Sequence, residues 1–204
     1  MFITFHSTYK TALKHLLLAL LIVSLLDVFP MTVYAENSAS RAGEYELKAA
    51  YLYNFFHFIQ WPTSENQELI AINVIGKSPI NQSLDKVREH IRKSTNKEVE
   101  IRYFDTFDQD IDLVCCKLLF ISSSEKANFR AIIRSLKNAP VLTVSDEEGF
   151  LEAGGMINFI STDDNKIRWE INRVQLNNAN LGISAKLQEI AVRVITSQNR
   201  REGF

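Results

Sequence analysis

The sequence predicts an α/β domain with a mostly parallel central sheet, flanking helices and a C-terminal antiparallel hairpin. Three observations lead there. Short apolar, β-branched runs alternate with amphipathic segments, which is the pattern of strand–helix–strand units with right-handed crossovers. The runs 69–75, 118–121 and 141–144 carry almost no polar residues, as strands covered on both faces must. The runs 156–160 and 167–171 are separated by the turn-forming Thr162-Asp163-Asp164-Asn165, which fits a hairpin.

Taken in order, residues 36–43 form a polar leader and 44–60 a helix. Its apolar residues Leu47, Ala50, Tyr51, Phe55, Phe58 and Ile59 recur at three- and four-residue spacing, and Pro62 cannot continue it. Its aromatics, Tyr51, Tyr53, Phe55, Phe56 and Phe58 with Trp61 just beyond, cover more than one face. Most therefore serve a core, and the excess offers a hydrophobic contact surface. Gly76 ends the first strand, 69–75, and 83–92 is a helix with a polar face. Residues 99–104 alternate apolar and charged, giving a strand with one wet face. After strand 118–121, a helix over 125–136 is capped by one of Ser122, Ser123 and Ser124. Pro140 leads into strand 141–144. Past the hairpin, helical pieces over 173–178 and 184–197, hinged at Gly182, close the domain. The pair Gly154-Gly155 serves a bend that needs positive φ.

The first 35 residues read as an address. Lys10 and Lys14 precede an apolar run from Leu16 to Leu26, broken only by Ser24, and Val33-Tyr34-Ala35 supplies the small-residue end that a signal peptidase reads. That run falls short of the roughly 20 residues a spanning helix needs, so cleavage after Ala35 and release into the periplasm are expected, with residues 36–204 as one domain. Loss of Lys10, Lys14 and Asp27 shifts the net charge from −1 to about −2. So balanced a chain has no field for nucleic acid. The densest basic stretch, Lys86, Arg88, Arg92, Lys93 and Lys97, is interleaved with Asp85, Glu89 and Glu98 and reads as a solvated helix face.

Catalysis has little raw material. Gly76-Lys77-Ser78 lacks the earlier glycine of a phosphate loop, since Ala71 holds that place, and Pro79 follows where free amides are needed. Only His57 and His90 remain beyond the leader, without zinc-ligand spacing, and no G-x-S-x-G elbow occurs. The chain is thus expected to be no enzyme and to need no cofactor. Cys115 and Cys116 are adjacent, start an apolar run and read as inert and buried; no third cysteine exists to staple them to another strand.

The better clue is polar groups at strand ends: Ser145 and Asp146 leave one strand, Arg168 and Glu170 alternate onto one face of another, and Lys186 follows Ser184 at a helix start. Two readings stand side by side. One is an internal network, in which Arg168 pairs with Glu170 or Asp146, Lys186 neutralises a buried carboxylate and Ser145 satisfies turn amides. The other is a partner-recognition patch.

The order of these motifs resembles the YfiR family of periplasmic regulators. The matches are Thr143-Val144-Ser145-Asp146, Gly149-Phe150, Gly154-Gly155-Met156-Ile157, Arg168 with Glu170-Ile171-Asn172, and Ser184 with Lys186. Upstream, the run from Lys48 to Phe55, Trp61-Pro62, Leu119-Phe120-Ile121 and Ser124-Glu125 match as well. The resemblance implies a periplasmic repressor that binds the sensor portion of an inner-membrane diguanylate cyclase, lowering cyclic di-GMP and biofilm formation. It implies partner binding by Ser145, Asp146, Arg168, Glu170 and Lys186, a homodimer, and sequestration by an outer-membrane lipoprotein. Relatives carry a first-strand cysteine that could pair with the match of Cys116. Asn73 stands there in this chain, so the redox state of Cys115 and Cys116 stays open. Relatives also carry arginines near the segment that here reads Asn177-Asn178-Ala179-Asn180. The rival reading is a periplasmic small-molecule sensor that takes an apolar ligand beside the aromatic helix and feeds a histidine kinase.

Cleavage after Ala35 is checked by intact-mass measurement of periplasmic protein. The expected chain starts at Glu36; recovery only from membranes with the leader attached would overturn it.

Overall fold

The computed structural model describes residues 31–62, 69–95, 97–162 and 166–197. The leader's apolar run and the hairpin turn residues 163–165 lie outside them. Residues up to Gly43 form one unit, described as helical backbone from Met31, and the α/β domain occupies the unit from Glu44 onward.

Helix α1 (Met31–Phe58) starts earlier than the predicted 44. Nothing in 31–43 breaks a helix: the stretch has no proline, alanine recurs, and one glycine costs only about 1 kcal/mol. The chain then forms β1 (Ile59–Gln60), β2 (Ile70–Ile75), α2 (Ile80–Ser94), β3 (Val99–Phe104) and β4 (Leu118–Ile121). A 3₁₀ turn (Ser123–Asn128) leads into α3 (Phe129–Ser135), with Ser122 as the capping serine. There follow β5 (Leu142–Ser145), β6 (Ile157–Ser161), β7 (Ile167–Asn172), α4 (Arg173–Asn178), β8 (Gly182–Ile183), α5 (Ala185–Glu189) and β9 (Arg193–Ile195).

Seven strands make one sheet in the order β3-β2-β4-β5-β6-β7-β9, and β1 pairs with β8 in a separate antiparallel ribbon. Every neighbouring pair from β3 to β6 is parallel, and β7 returns antiparallel to β6 as the hairpin. The expected architecture holds. The exception lies at its end. The helix predicted over 184–197 stops at Glu189, and β9 joins the sheet parallel to β7, Val194 opposite Ile171. Val194 and Ile195 are stiff at χ1 and fit a pleated edge better than a helix.

Alternation along the strands divides the core. Ile70, Ile72, Val74, Leu118, Phe120, Leu142 and Val144 face α1 and α2, whereas Ala71, Ile75, Leu119 and Ile121 face α3 with its Phe129 and Ile132. The buried stripe of α1 is Ala49, Leu52 and Phe55, continued by Ile59 of β1, and Leu47, expected inside, points out. The basic helix face is solvated as read, with Arg88 paired to Asp85 and Arg92 to Glu89. Gly154 has φ +104°, as the bend required, but Gly155 is there for closeness instead. A β-carbon on Gly155 would lie 2.2 Å from the Phe150 ring.

The cysteines fall in the loop before β4 rather than within the strand, which separates their fates. Both are free thiols. Cys116 is buried, and that burial, with the neighbouring Cys115 adding to it, pushes its thiol up to about 12. Cys115 is exposed, correcting the expectation of inert burial; its Sγ accepts from Arg102 at 3.3 Å and lies 3.8 Å from the Asn73 side-chain nitrogen. The native protein is expected to show one fast-reacting thiol per chain in a colorimetric thiol titration at neutral pH, and a second only on unfolding. Two fast thiols would contradict the burial of Cys116.

Candidate functional site

In open α/β sheets a ligand crevice is expected where neighbouring strands lead their connections to opposite sides. Here that point is between β2 and β4, and the chain closes it. Ser122 Oγ donates to the Lys77 carbonyl at 2.7 Å, and the Lys77 amide donates to Ser124 Oγ at 2.9 Å. A β-carbon on Gly76 would meet Ser124 Oγ at 2.5 Å. Gly76-Lys77-Ser78 is therefore a strand-ending turn, as its sequence indicated.

The open ground is two strands further on. One face of β6 and β7 is sealed by α1. Phe55 stacks on Phe159 with centroids 5.7 Å apart, and Tyr51 and Phe55 meet Trp169 edge-on at 5.2 and 5.8 Å. Trp169 Nε1 donates to the Leu187 carbonyl at 3.1 Å, so α5 completes the seal. On the opposite face, residues in register across the sheet are Ser145, Asn158, Glu170 and Arg193. Arg168 and Ile160 form the next row on that face. No described helix covers the Glu170 end of it.

Each predicted residue can now be placed. Ser145 is fully buried and its Oγ donates to the Ile121 carbonyl at 2.6 Å, a tie between β5 and β4 and not a turn contact. Asp146 turns to the α1 side, where Lys48 Nζ lies 2.7 Å from Oδ2 and 2.6 Å from Glu44 Oε1. The buried lysine of the network is thus Lys48, not Lys186. Glu170 pairs with neither Arg168 nor Asp146: Arg193 donates to it through Nε at 2.5 Å and a terminal nitrogen at 3.0 Å, and reaches Glu152 at 3.0 Å. Hydrogen bonding to Glu170 holds the Arg193 guanidinium above its usual range. Lys186 is exposed at the start of α5, which Ser184 caps, with Nζ 6.0 Å from the Phe58 ring centroid. It belongs to the α1 side of the sheet, away from Arg168 and Glu170.

Asp146, Glu148, Glu152, Asn158, Glu170 and Arg193 line a cleft of about 740 Å³ at the carboxyl end of β5 and along β6. Sequence reasoning missed Lys48, Arg193 and Asn158. Lys48 carried a signal, a lysine one turn from Leu52 on the buried stripe; Arg193 was hidden by the misread final helix. Among the described residues, no group of three or more His, Cys, Asp or Glu side chains could hold a metal ion, and no helix is long and apolar enough to cross a membrane.

The result is a mixed α/β domain with paired charges on a sheet face that no described helix covers at its Glu170 end. A family model described as YfiR/HmsC-like matches residues 45–192, and the chain belongs to that family of periplasmic, non-catalytic regulators of diguanylate cyclase signalling. No curated protein matches the chain. Among solved structures, an ABC domain in complex with L-Trp from Streptococcus pneumonia aligns at 11% identity and a TM-score of 0.44, covering 61% of this chain and 55% of that one. A conserved domain protein from Vibrio cholerae O1 biovar El Tor aligns at 10% identity and 0.46, covering 62% and 55%. The chain spans about half the length of either, and likeness at this level carries no functional weight.

Removing one member of a buried ion pair strands the other. Lys48→Met is expected to cost about 3–5 kcal/mol in urea unfolding, and Lys48→Met with Asp146→Leu less than Lys48→Met alone. A loss within the range of an exposed pair, about 0–1 kcal/mol, would remove Lys48 from this role.

Proposed function

We propose that this chain is an exported repressor that binds the periplasmic sensor portion of an inner-membrane diguanylate cyclase and holds it inactive, lowering cyclic di-GMP and biofilm formation. The observation that carries the reading, beside family membership, is the one-sided covering of β6 and β7: aromatic packing seals one face, and the other presents Arg168, Glu170 and Arg193. Charges arranged on an open face give register and specificity more than raw affinity. The contact surface of the proposal is Arg168 and Glu170 with Arg193 added, and Asp146 at its margin. Ser145 supports the surface from beneath, and Lys186 serves a second contact beside the aromatic helix. Regulation then follows from linkage: a repressor that prefers the inactive receptor shifts it by its differential affinity alone. A homodimer and an outer-membrane lipoprotein that sequesters the repressor belong to the same proposal, as do cleavage after Ala35 and residence in the periplasm.

A second reading, a small-molecule sensor feeding a histidine kinase, has one observation in its favour. Tyr51, Phe55, Phe58, Trp169, Leu187 and Ile190 line an apolar pocket. At about 200 Å³ it is smaller than the roughly 300–1,000 Å³ of drug-sized ligand sites. The repressor reading ranks first.

Because Glu170 is held by Arg193, Glu170→Lys alone places like charges together. The cleaner test adds the swap Glu170→Lys with Arg193→Glu and Glu152→Gln, which keeps an internal pair, sets no new carboxylate against Glu152 and inverts the field shown to a partner. Cyclic di-GMP and melting temperature are measured for deletion, wild type, E170K and the swap. Elevated cyclic di-GMP is expected in the deletion and in a swap that melts like wild type, with a binding loss of about 2–5 kcal/mol if the contact is desolvated. A deletion with unchanged cyclic di-GMP would falsify the cyclase reading.

A further inference from the structure

The cleft beside β6 exists because β5 stops short. β5 pairs with β6 only through Val144–Ile157 and Ser145–Asn158, whereas β6 runs on to Ser161 in register with β7. The chain leaves β5 at Asp146 and passes Glu148 and Glu152 before returning, so those carboxylates stand over the vacated edge. At about 740 Å³ the cleft is within the range of small-ligand sites. Its described lining holds four carboxylates, from Asp146, Glu148, Glu152 and Glu170, and one cation, Arg193.

A second observation points to what it takes. Asn158 lies in the lining, is 6% exposed, and its Oδ1 is buried without a hydrogen-bond partner. Buried acceptors are rarely left so, and one kept at a cleft rimmed with further acceptors calls for a ligand that brings donors. Asp146 is held by Lys48, and Glu170 and Glu152 share the single Arg193, so with Glu148 the lining keeps an excess of negative charge that favours a positive ligand. Arg193 shows the chemistry from within: Glu170 and Glu152 together already hold one nitrogen cation. A bare metal ion fits less well, since no described cluster has the ligand set for one.

We infer that this cleft binds a small organic cation bearing a primary ammonium group, its N–H donors satisfying Asn158 Oδ1 and its charge balanced by Glu170, Glu148 and Glu152. The cleft shares Asp146, Glu170 and Arg193 with the contact surface proposed above, but its ligand is read on the purified protein without any partner, so the two proposals fail separately.

The test is calorimetric titration of the full chain, purified from cells, with putrescine as the probe and butanediol as its neutral counterpart of the same length. Saturable binding of one putrescine per chain is expected, with none for butanediol. Asn158→Ala should weaken binding about tenfold or more, as loss of a hydrogen bond to a charged group does. The same variant should melt at or above the wild-type temperature, since it removes an acceptor that nothing in the fold satisfies. Glu148→Gln, at an exposed position, supplies a variant that keeps the fold and should weaken binding as well. Non-saturable putrescine binding, equal binding of butanediol, or affinity unchanged in both variants would overturn the inference.

Discussion

Lys48 decides where the first helix can sit. A lysine enclosed to 5% side-chain exposure must keep its carboxylates, and it keeps two: Glu44 one turn back on its own helix and Asp146 where β5 ends. The pair is directional in a way that the surrounding aromatic packing is not. Phe55, Tyr51, Phe159 and Trp169 could slide over one another at modest cost, but an ammonium taken from water cannot move far from its partners without a penalty of several kcal/mol. The register of α1 on the sheet, and with it the sealing of one face of β6 and β7, depends on that contact.

Sealing one face defines the other. With α1 and α5 on one side and α3 serving only the β4 end of the opposite side, the polar row of the last strands runs from the buried Asn158 out to the half-exposed Arg193 at the sheet edge. Arg193 organises that row by bridging Glu170 and Glu152, which ties the strand edge to the segment after β5. The cleft and the charged face are two consequences of the same economy of helices.

Much of this was legible in the chain. Strand positions came from apolar runs with no room for a wet face, and β3 from its alternation. The motif order pointed to the family directly. What failed to show were long-range choices. Local pattern allows a helix over Ile190 to Ile195, and only an unpaired edge on β7, which no local window contains, turns those residues into a strand. The pairing of charges was similarly hidden: the sequence offered Arg168 and Lys186 as the cations of the network, and the choice of Lys48 for Asp146 depends on which helix lies over the end of β5. Cys115 and Cys116 show a finer limit, because adjacent residues at a loop–strand boundary have nearly identical local sequence and opposite exposure.

The Lys48–Asp146 contact also joins residues 98 positions apart, and Glu44 reaches Ser161 across 117. Contacts so remote form late, since the intervening chain must first give up its freedom. The buried lysine has no carboxylate beyond its own helix until the chain has been made past Asp146, and the aromatic stripe lacks its opposite wall until Phe159 and Trp169 have followed. Exported as proposed, a chain unable to finish its core early would remain threadable during its passage across the inner membrane.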